Sequence, residues 1–135
     1  MHSTSEDIKD MLEAESSLGL VYANNLHIGK EPSTPANCVT IYDTYGYPQM
    51  LTMDNSKYYY PSIQIRVRNN DYLTGMELIQ NIVDALHGRG QETWNTDTLY
   101  SLIKCSSGPA LLDWDDNGRA RFIANFDIQR RTITV

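Results

Sequence analysis

A short acidic segment near the C-terminus has the residue types of a calcium-binding loop. Asp113, Asp115, Asn117 and Gly118 occupy the spacing that opens an EF-hand loop. The twelfth position of such a loop requires a bidentate carboxylate, and here that position is Ala124. Asp113, Asp115 and Asn117 are therefore weak candidates for cation binding, and a calcium-dependent binding module is a lower-ranked hypothesis.

The same segment also has the composition of a turn. Asp116-Asn117-Gly118 is rich in residues that accept positive φ. A stretch that alternates apolar and polar residues over 119–131 follows directly, which predicts a strand instead of the helix that flanks an EF-hand loop. We therefore favour a reversal between two strands.

Other catalytic or cofactor-binding patterns are absent from the sequence. There is no G-x-S-x-G nucleophile elbow, and the glycines within 87–91 lack the lysine of a phosphate-binding loop, so they indicate a helix end. The three histidines stand far apart, which argues against zinc. Cys38 and Cys105 lie in apolar surroundings and are predicted to be buried free thiols. We therefore predict that the chain is not an enzyme and needs no cofactor.

Length and charge limit the remaining classes of function. The 135 residues, 41% of them hydrophobic, predict one soluble domain over 1–135. No apolar run is long enough to span a bilayer, so no membrane contact is expected. The net charge of −6 argues against bulk attraction to nucleic acid, although the acids concentrate in the first 20 residues and arginines in the last 17.

Hydrophobic periodicity predicts two helices and five strands in the order α-β-β-β-α-β-β. The first helix begins at the capping pair Ser3 and Glu6 and ends at Gly19, and the second runs from about Tyr72 to His87. Strands are predicted over 20–28, 37–43, 62–68, 98–105 and 119–131. This order predicts an α+β fold, a mostly antiparallel sheet with two helices packed on one face.

A tyrosine-rich segment separates the second and third predicted strands. Residues 44–60 hold five of the nine tyrosines among turn-forming residues, which predicts a hairpin arm or an extended surface loop. Tyrosine is enriched at protein interfaces, so Tyr45, Tyr47 and Tyr58 are candidate interface residues. The alternative is that these tyrosines cover the core of a small domain.

Two pairs of arginines alternate along predicted strands. Arg66 and Arg68 lie on one, and Arg119 and Arg121 on another, so all four can line one polar face. Arginine forms oriented, bidentate pairs with carboxylates, and the acidic first helix of a neighbouring copy would supply them. The candidate carboxylates on that helix are those of Glu6, Asp10 and Glu13. The alternative is a solvated outer face of the sheet.

Several segments together resemble the small minor capsid or tail-completion proteins of long-tailed bacteriophages. The longest is 107–122, which reads Ser-Gly-Pro-Ala-Leu-Leu-Asp-Trp-Asp-Asp-Asn-Gly-Arg-Ala-Arg-Phe. The order of elements is also similar to that of tail terminator proteins. The other segments that carry the resemblance are 6–12, 60–68, 86–89, 91–95, 125–126 and 129–130.

The resemblance implies a structural role in virion assembly. Tail terminators form a ring, usually of six copies, that caps the tail tube and joins it to the head while DNA passes through the centre without specific binding. The implied partners are other copies of the chain, the tail tube protein and a head-completion or neck protein. The implied location is the virion neck, with the host cytoplasm during assembly.

The resemblance carries no catalytic residues. It does imply that a hairpin between early strands, here 44–60, reaches a neighbouring subunit. A head-closure (stopper) protein or another neck or minor capsid protein is the alternative within the same class.

Overall fold

A computed structural model describes residues 1–51 and 57–133. The helices are α1 (Thr4–Ala14) and α2 (Tyr72–Leu86), and a single 3-10 turn, Ser16–Leu18, follows α1. The strands are β1 (Leu26–Ile28), β2 (Cys38–Leu51), β3 (Lys57–Asn69), β4 (Glu92–Trp94), β5 (Thr98–Trp114) and β6 (Ala120–Thr132). The predicted order is confirmed, and β4 adds a three-residue strand within the segment predicted as a loop over 91–97.

The strands form a six-stranded sheet in the order β1-β2-β3-β6-β5-β4. Every pairing is antiparallel except that of β1 with β2, so the sheet is mostly antiparallel, as predicted. Strand β6 lies between β3 and β5 and pairs with both over most of its length. Strand β6, the last in the sequence, therefore joins the β2–β3 hairpin to β5 in one sheet.

Both helices pack on one face of the sheet, which confirms the predicted α+β architecture. Every second residue of the central strands faces the helices, and these residues form the sheet side of the core. Each helix adds one stripe of apolar residues to the same cluster. No helix in the described part of the chain is long and apolar enough to cross a membrane. The helical contributions are Ile8, Met11 and Leu12 from α1 and Ile79, Ile82 and Leu86 from α2.

Helix α1 is shorter than predicted, and most of the segment after it is a turn. Ser3 caps the helix as expected, since its Oγ accepts a hydrogen bond from the Glu6 N–H at 3.3 Å. The strand predicted over 20–28 is reduced to β1 because the Asn25 side chain bonds both the Val21 N–H, at 2.7 Å, and the Gly19 carbonyl, at 3.0 Å. An asparagine that satisfies nearby backbone groups in this way favours a turn over a strand.

Strand β5 runs nine residues beyond the predicted end at Cys105. The strand continues to Trp114 through register shifts at Ser107, where the pairing with β6 is interrupted and then resumes. Gly108 has a φ of +92°, and a Cβ at this position would lie 2.6 Å from the Ile123 carbonyl oxygen. The glycine therefore permits a bulge at which the chain bends without leaving the sheet.

The first turn of α2 packs closely against the sheet. Asp71 caps the helix by accepting a hydrogen bond from the Thr74 N–H at 3.2 Å. A Cβ on Gly75 would lie 2.6 Å from Cε2 of the buried Phe122 ring and 3.0 Å from Cβ of Asn69. The missing side chain of Gly75 therefore sets the distance between helix and sheet.

We predict that Gly75→Ala destabilises the protein. The added methyl group overlaps a buried ring that cannot move freely, and such overpacking costs about 1–3 kcal/mol, more than the roughly 1 kcal/mol that alanine gains in helix propensity. Urea unfolding followed by circular dichroism measures the change. Gln80→Ala, on the exposed side of the same helix, is the control and should change stability by less than about 0.5 kcal/mol. A Gly75→Ala protein as stable as the wild type would contradict this packing.

Candidate assembly surfaces

The sheet face opposite the helices is polar and holds three of the four predicted arginines. Arg68 lies beside Arg121 in the β3–β6 register, and Arg121 lies beside Asp113 in the β5–β6 register. Arg66 is on the same face, opposite Ile123. Arg119 lies in the connection just before β6. The prediction that the arginines gather on one side of the sheet is therefore correct for Arg66, Arg68 and Arg121.

Arg121 is already paired within its own chain. Its Nε and Nη2 donate to the two carboxylate oxygens of Asp113 at 2.6 and 3.0 Å, and its Nη1 donates to Glu31 at 3.1 Å. The hydrogen bond to Asp113 and, after it, the bond to Glu31 raise the pKa of Arg121 above its ordinary value. Two carboxylates of the same chain, those of Asp113 and Glu31, therefore already neutralise the charge of Arg121.

A loop crosses the polar face and covers Arg68. The strap, residues 30–36, places Glu31 at 3.4 Å from Nη1 of Arg68, whose side chain is only 5% exposed. Arg68 also donates to the carbonyl oxygens of Pro35 and Ala36 at 2.8 and 3.1 Å. Arg68 therefore holds the strap to the sheet and has little surface left for a neighbour.

The segment 113–118 is the reversal between β5 and β6, as the turn interpretation predicted. The carboxylate of Asp115 accepts hydrogen bonds from the backbone N–H groups of Asn117, at 3.0 Å, and Arg119, at 2.8 Å. It also accepts one from Nε of Arg119 at 2.6 Å. Desolvation raises the pKa of Asp115, but these hydrogen bonds outweigh it and leave the pKa below its ordinary value.

The calcium-loop candidates consequently have other partners. The carboxylate oxygens of Asp113 face Arg121, and those of Asp115 face Arg119 and the backbone of the turn. A cation would have to displace an arginine at each of the two residues. That calcium binds at Asp113, Asp115 and Asn117 stays a prediction, and the turn accounts for the contacts that these side chains make.

Arg66 differs from the other arginines. Its guanidinium lies 5.0 Å from the ring centre of Tyr42, and its Nε donates to Gln64 at 2.8 Å. Among the described residues no carboxylate lies within ion-pair distance of Arg66. Its positive charge is therefore the one in this group that a partner can still neutralise.

The predicted acidic partners lie on the other side of the molecule. Helix α1 packs on the core face, so its exposed side points away from the arginines. Glu6 pairs with His2 at 3.3 Å, and Asp10 pairs with Lys9 at 3.0 Å. The carboxylate of Glu13 accepts a hydrogen bond from the Tyr22 N–H at 3.2 Å. Because these acids and Arg66 occupy opposite faces, they can meet only between two copies.

The tyrosine-rich segment continues the β2–β3 pair to the end of the sheet at which β6 ends. Tyr47 lies beside Tyr60 and Met50 beside Tyr58, with register shifts that bend the pair. We call this extension, residues 44–51 and 57–60, the arm; residues 52–56 of the predicted segment lie outside the described residues. Tyr45 is fully exposed and Tyr47 is 74% exposed, whereas Tyr58 is half-buried. Tyr45 and Tyr47 therefore cover none of the core.

A buried polar cluster attaches α1 to the sheet. Asp7 is fully buried and accepts hydrogen bonds from the Tyr100 hydroxyl and the Asn95 amide. Arg130 lies 3.7 Å from the Asp7 carboxylate and donates to the backbone carbonyl of His2 at 3.0 Å. Burial raises the pKa of Asp7, and the Tyr100 hydrogen bond and the Arg130 charge oppose that rise.

The sequence carries a signal for this cluster, although none of the predicted sites included it. Asp7 lies next to Ile8 and one turn before Met11, on the apolar stripe of α1. Arg130 continues the even-numbered positions of β6 that face the core. Two opposite charges on core-facing positions predict a buried pair, because an unpaired buried charge is too costly.

The same region contains the one group of three metal-ligating side chains found among the described residues, His2, Asp7 and Asp10. Asp7 already accepts hydrogen bonds from Tyr100 and Asn95, and Asp10 pairs with Lys9. The prediction of buried free thiols is correct for Cys38, whereas Cys105 is a free thiol that is partly exposed.

Comparison with known proteins identifies the family. The sequence model of the family described as bacteriophage tail terminator protein matches residues 8–132, which span most of α1, the whole of α2 and all six strands. The chain belongs to the bacteriophage tail terminator proteins. The predicted resemblance is therefore confirmed, and the role of this terminator is structural, in the tail of a virion.

A solved structure shares the fold of this terminator. A chain from the virion of a native gene transfer agent particle superposes with a TM-score of 0.67 over 96% of this chain and 95% of that chain. The sequence identity is 11%, so the likeness is one of fold. A search of curated protein sequences finds no match.

We predict that removing the buried carboxylate strongly destabilises the terminator. Asp7→Ala leaves Arg130 buried without a counter-charge, and breaking a buried pair costs about 3–5 kcal/mol. Chemical unfolding measures the loss. Glu6→Ala removes a half-exposed neighbour in the same turn and should cost less than about 0.5 kcal/mol. Similar losses in the two variants would show that the Asp7–Arg130 pair contributes nothing specific.

We also predict that the 113–118 turn depends on arginine pairing and not on calcium. Asp115→Ala removes the hydrogen bonds that close the turn and should lower the melting temperature of the protein. Millimolar calcium should leave the melting temperature of the wild type unchanged. A rise in that temperature with calcium that disappears in Asp115→Ala would instead establish the metal site, since binding to the folded state stabilises it.

Proposed function

We propose that this protein is the tail terminator at the phage head–tail junction, acting as a single domain over 1–135. A ring of copies caps the tail tube and joins it to the head, and it leaves a channel for DNA. The observation that carries the proposal is the family match over residues 8–132. The proposed partners are other copies of the chain, the tail tube protein and a neck protein, and assembly takes place in the host cytoplasm.

The distribution of surfaces supports a head-to-tail ring. A heterologous interface uses two different patches of one subunit, and it closes into a ring when its rotation divides a full turn. The candidate patches, acidic α1 and the Arg66 region, lie on opposite faces of the sheet. Six copies is the stoichiometry that the resemblance implies.

Ion pairs within the subunit reduce the number of arginines that are available to contact a neighbouring copy. Arg68, Arg119 and Arg121 hold the strap and the β5–β6 turn within their own chain. We propose that these three shape the polar face, while Arg66 meets Glu6, Asp10 or Glu13 of a neighbour. Tyr45 and Tyr47 then add an apolar contact through the arm.

The acidity of the chain supports passage of DNA without binding. A net charge of −6 provides no bulk attraction for phosphates. A negatively charged channel lining repels the DNA phosphates, so duplex DNA slides through the channel without binding to it. A tight, salt-sensitive affinity of the assembled ring for duplex DNA would contradict this part of the proposal.

The function can be tested by removing the protein from the assembly pathway. Infection with a phage that lacks it should yield filled heads and unattached tails, and the purified protein should restore joining when it is added to the tails. Gold-labelled protein should then appear at the head-proximal end of those tails. Label bound to isolated heads instead would favour a head-closure protein, and joining that proceeds without the protein would refute both roles.

We predict that Arg66→Glu weakens assembly without unfolding the subunit. Of the four arginines at 66, 68, 119 and 121, Arg66 is the one with no carboxylate partner among the described residues, so reversing its charge affects a neighbour more than its own chain. Size measurement and negative-stain images should show fewer rings, with unfolding free energy within about 1 kcal/mol of the wild type. Arg121→Glu should lower stability as well, since it opposes Asp113 and Glu31. Normal rings from Arg66→Glu would exclude the charged contact.

A further inference from the structure

An apolar patch lies at the end of the molecule where β5 leaves the sheet. Leu73 on α2 is 75% exposed, and Trp114 at the end of β5 is 53% exposed. Tyr72 stacks on Trp114 with ring centres 6.1 Å apart and meets the buried Phe122 ring edge-on at 5.1 Å. We call Tyr72, Leu73 and Trp114 the end patch. Leu111 and Leu112, shortly before Trp114 on β5, are also partly exposed.

The end patch is held rigidly in place. The contact of Tyr72 with Phe122 connects the exposed aromatic pair to the core. The register of Trp114 with Ala120 and of Leu111 with Phe122 holds the end of β5 on β6. A rigid, aromatic, exposed surface loses little conformational entropy when a partner covers it, so it suits a protein interface.

The end patch and the arm lie at opposite ends of the sheet. Trp114 pairs with Ala120 at the start of β6, whereas Tyr58 of the arm pairs with Arg131 at its end. Strand β6 has 13 residues, and at ~3.3 Å per residue it spans roughly 40 Å. The arm of one chain therefore cannot cover its own end patch, while the arm of a second copy can.

Charges beside the two surfaces are complementary. Glu77, one turn after Leu73, and Asp116, two residues after Trp114, are exposed acids beside the end patch. Arg131 pairs in register with Tyr58 of the arm. Lys104 also lies near the arm, but Asp127 is beside it in the β5–β6 register, so Arg131 is the base on which the comparison rests. In the described part of the chain, Glu77, Asp116 and Arg131 form no ion pair. Acids beside one surface and a base beside the other favour one orientation of two copies.

We propose that the end patch receives the arm of a second copy, with Tyr45 and Tyr47 packed against Leu73 and Trp114. The inference rests on the proposed ring and specifies which surface of each subunit the neighbouring arm covers. Exposed aromatic residues on both sides are the residue types that dominate interface energies. The charges of Arg131 and Glu77 set the direction of the contact.

Photo-crosslinking tests the contact directly. Benzoyl-phenylalanine replaces Tyr45, and an equal mixture of unlabelled and ¹⁵N-labelled protein is irradiated after assembly, in solution or on tails. We expect mixed-isotope crosslinks between Tyr45 and peptides that contain 72–77 or 111–116. Crosslinks to another virion protein, or to a different surface of the ring, would overturn the inference while leaving the ring intact. A protein that neither self-associates nor joins tails would refute the proposed function, and the inference with it.

Surface variants give an independent measure. Leu73→Ser changes a mostly exposed side chain and should weaken self-association by roughly 30-fold, the effect of an interface residue worth about 2 kcal/mol. Val21→Ser, at a 53% exposed position away from the end patch, is the control and should have no effect. Glu77→Lys and Arg131→Glu should each weaken association, and the two together should restore it. Equal affinities for Leu73→Ser and the wild type, or no restoration in the double variant, would overturn the contact.

Discussion

The strict alternation of β6 is the constraint on which the rest of the structure depends. Its even-numbered residues face the core and its odd-numbered residues face the opposite, polar side, because successive side chains of a strand point to opposite sides of a sheet. Strand β6 also pairs with β3 on one side and β5 on the other. A shift of one residue would bury Arg121 and expose Phe122, so the register of this strand fixes both faces of the sheet at once.

Charged groups serve different purposes on the two faces. On the core side, Asp7 and Arg130 form a desolvated pair that connects α1 to the sheet. On the other side, Arg68, Arg119 and Arg121 hold the strap and the β5–β6 turn through ion pairs, and the Arg121–Asp113 pair is the most exposed of them, with 25% and 46% of the two side chains in solvent. Most of the arginine charge therefore organises the subunit, and the surface available for assembly is narrower than a count of arginines suggests.

The two ends of the sheet also differ in character. One carries the arm, which exposes Tyr45 and Tyr47, and the other carries an apolar patch around Trp114. A monomer that exposes both leaves apolar surface in water that it cannot bury by itself. Membership of the tail terminator family provides a reason, since these proteins act in an assembled virion.

Sequence pattern alone predicted the order of elements, the faces of β3 and β6, the cap of α1 and the turn at 113–118, because periodicity and capping are local properties. The same periodicity also places Asp7 and Arg130 on the core-facing sides of α1 and β6. Long-range contacts, in contrast, extend β5 past Gly108 along β6 and place Glu31 between Arg68 and Arg121. These features depend on contacts between residues far apart in the chain, and local pattern contains no information about which distant groups will meet.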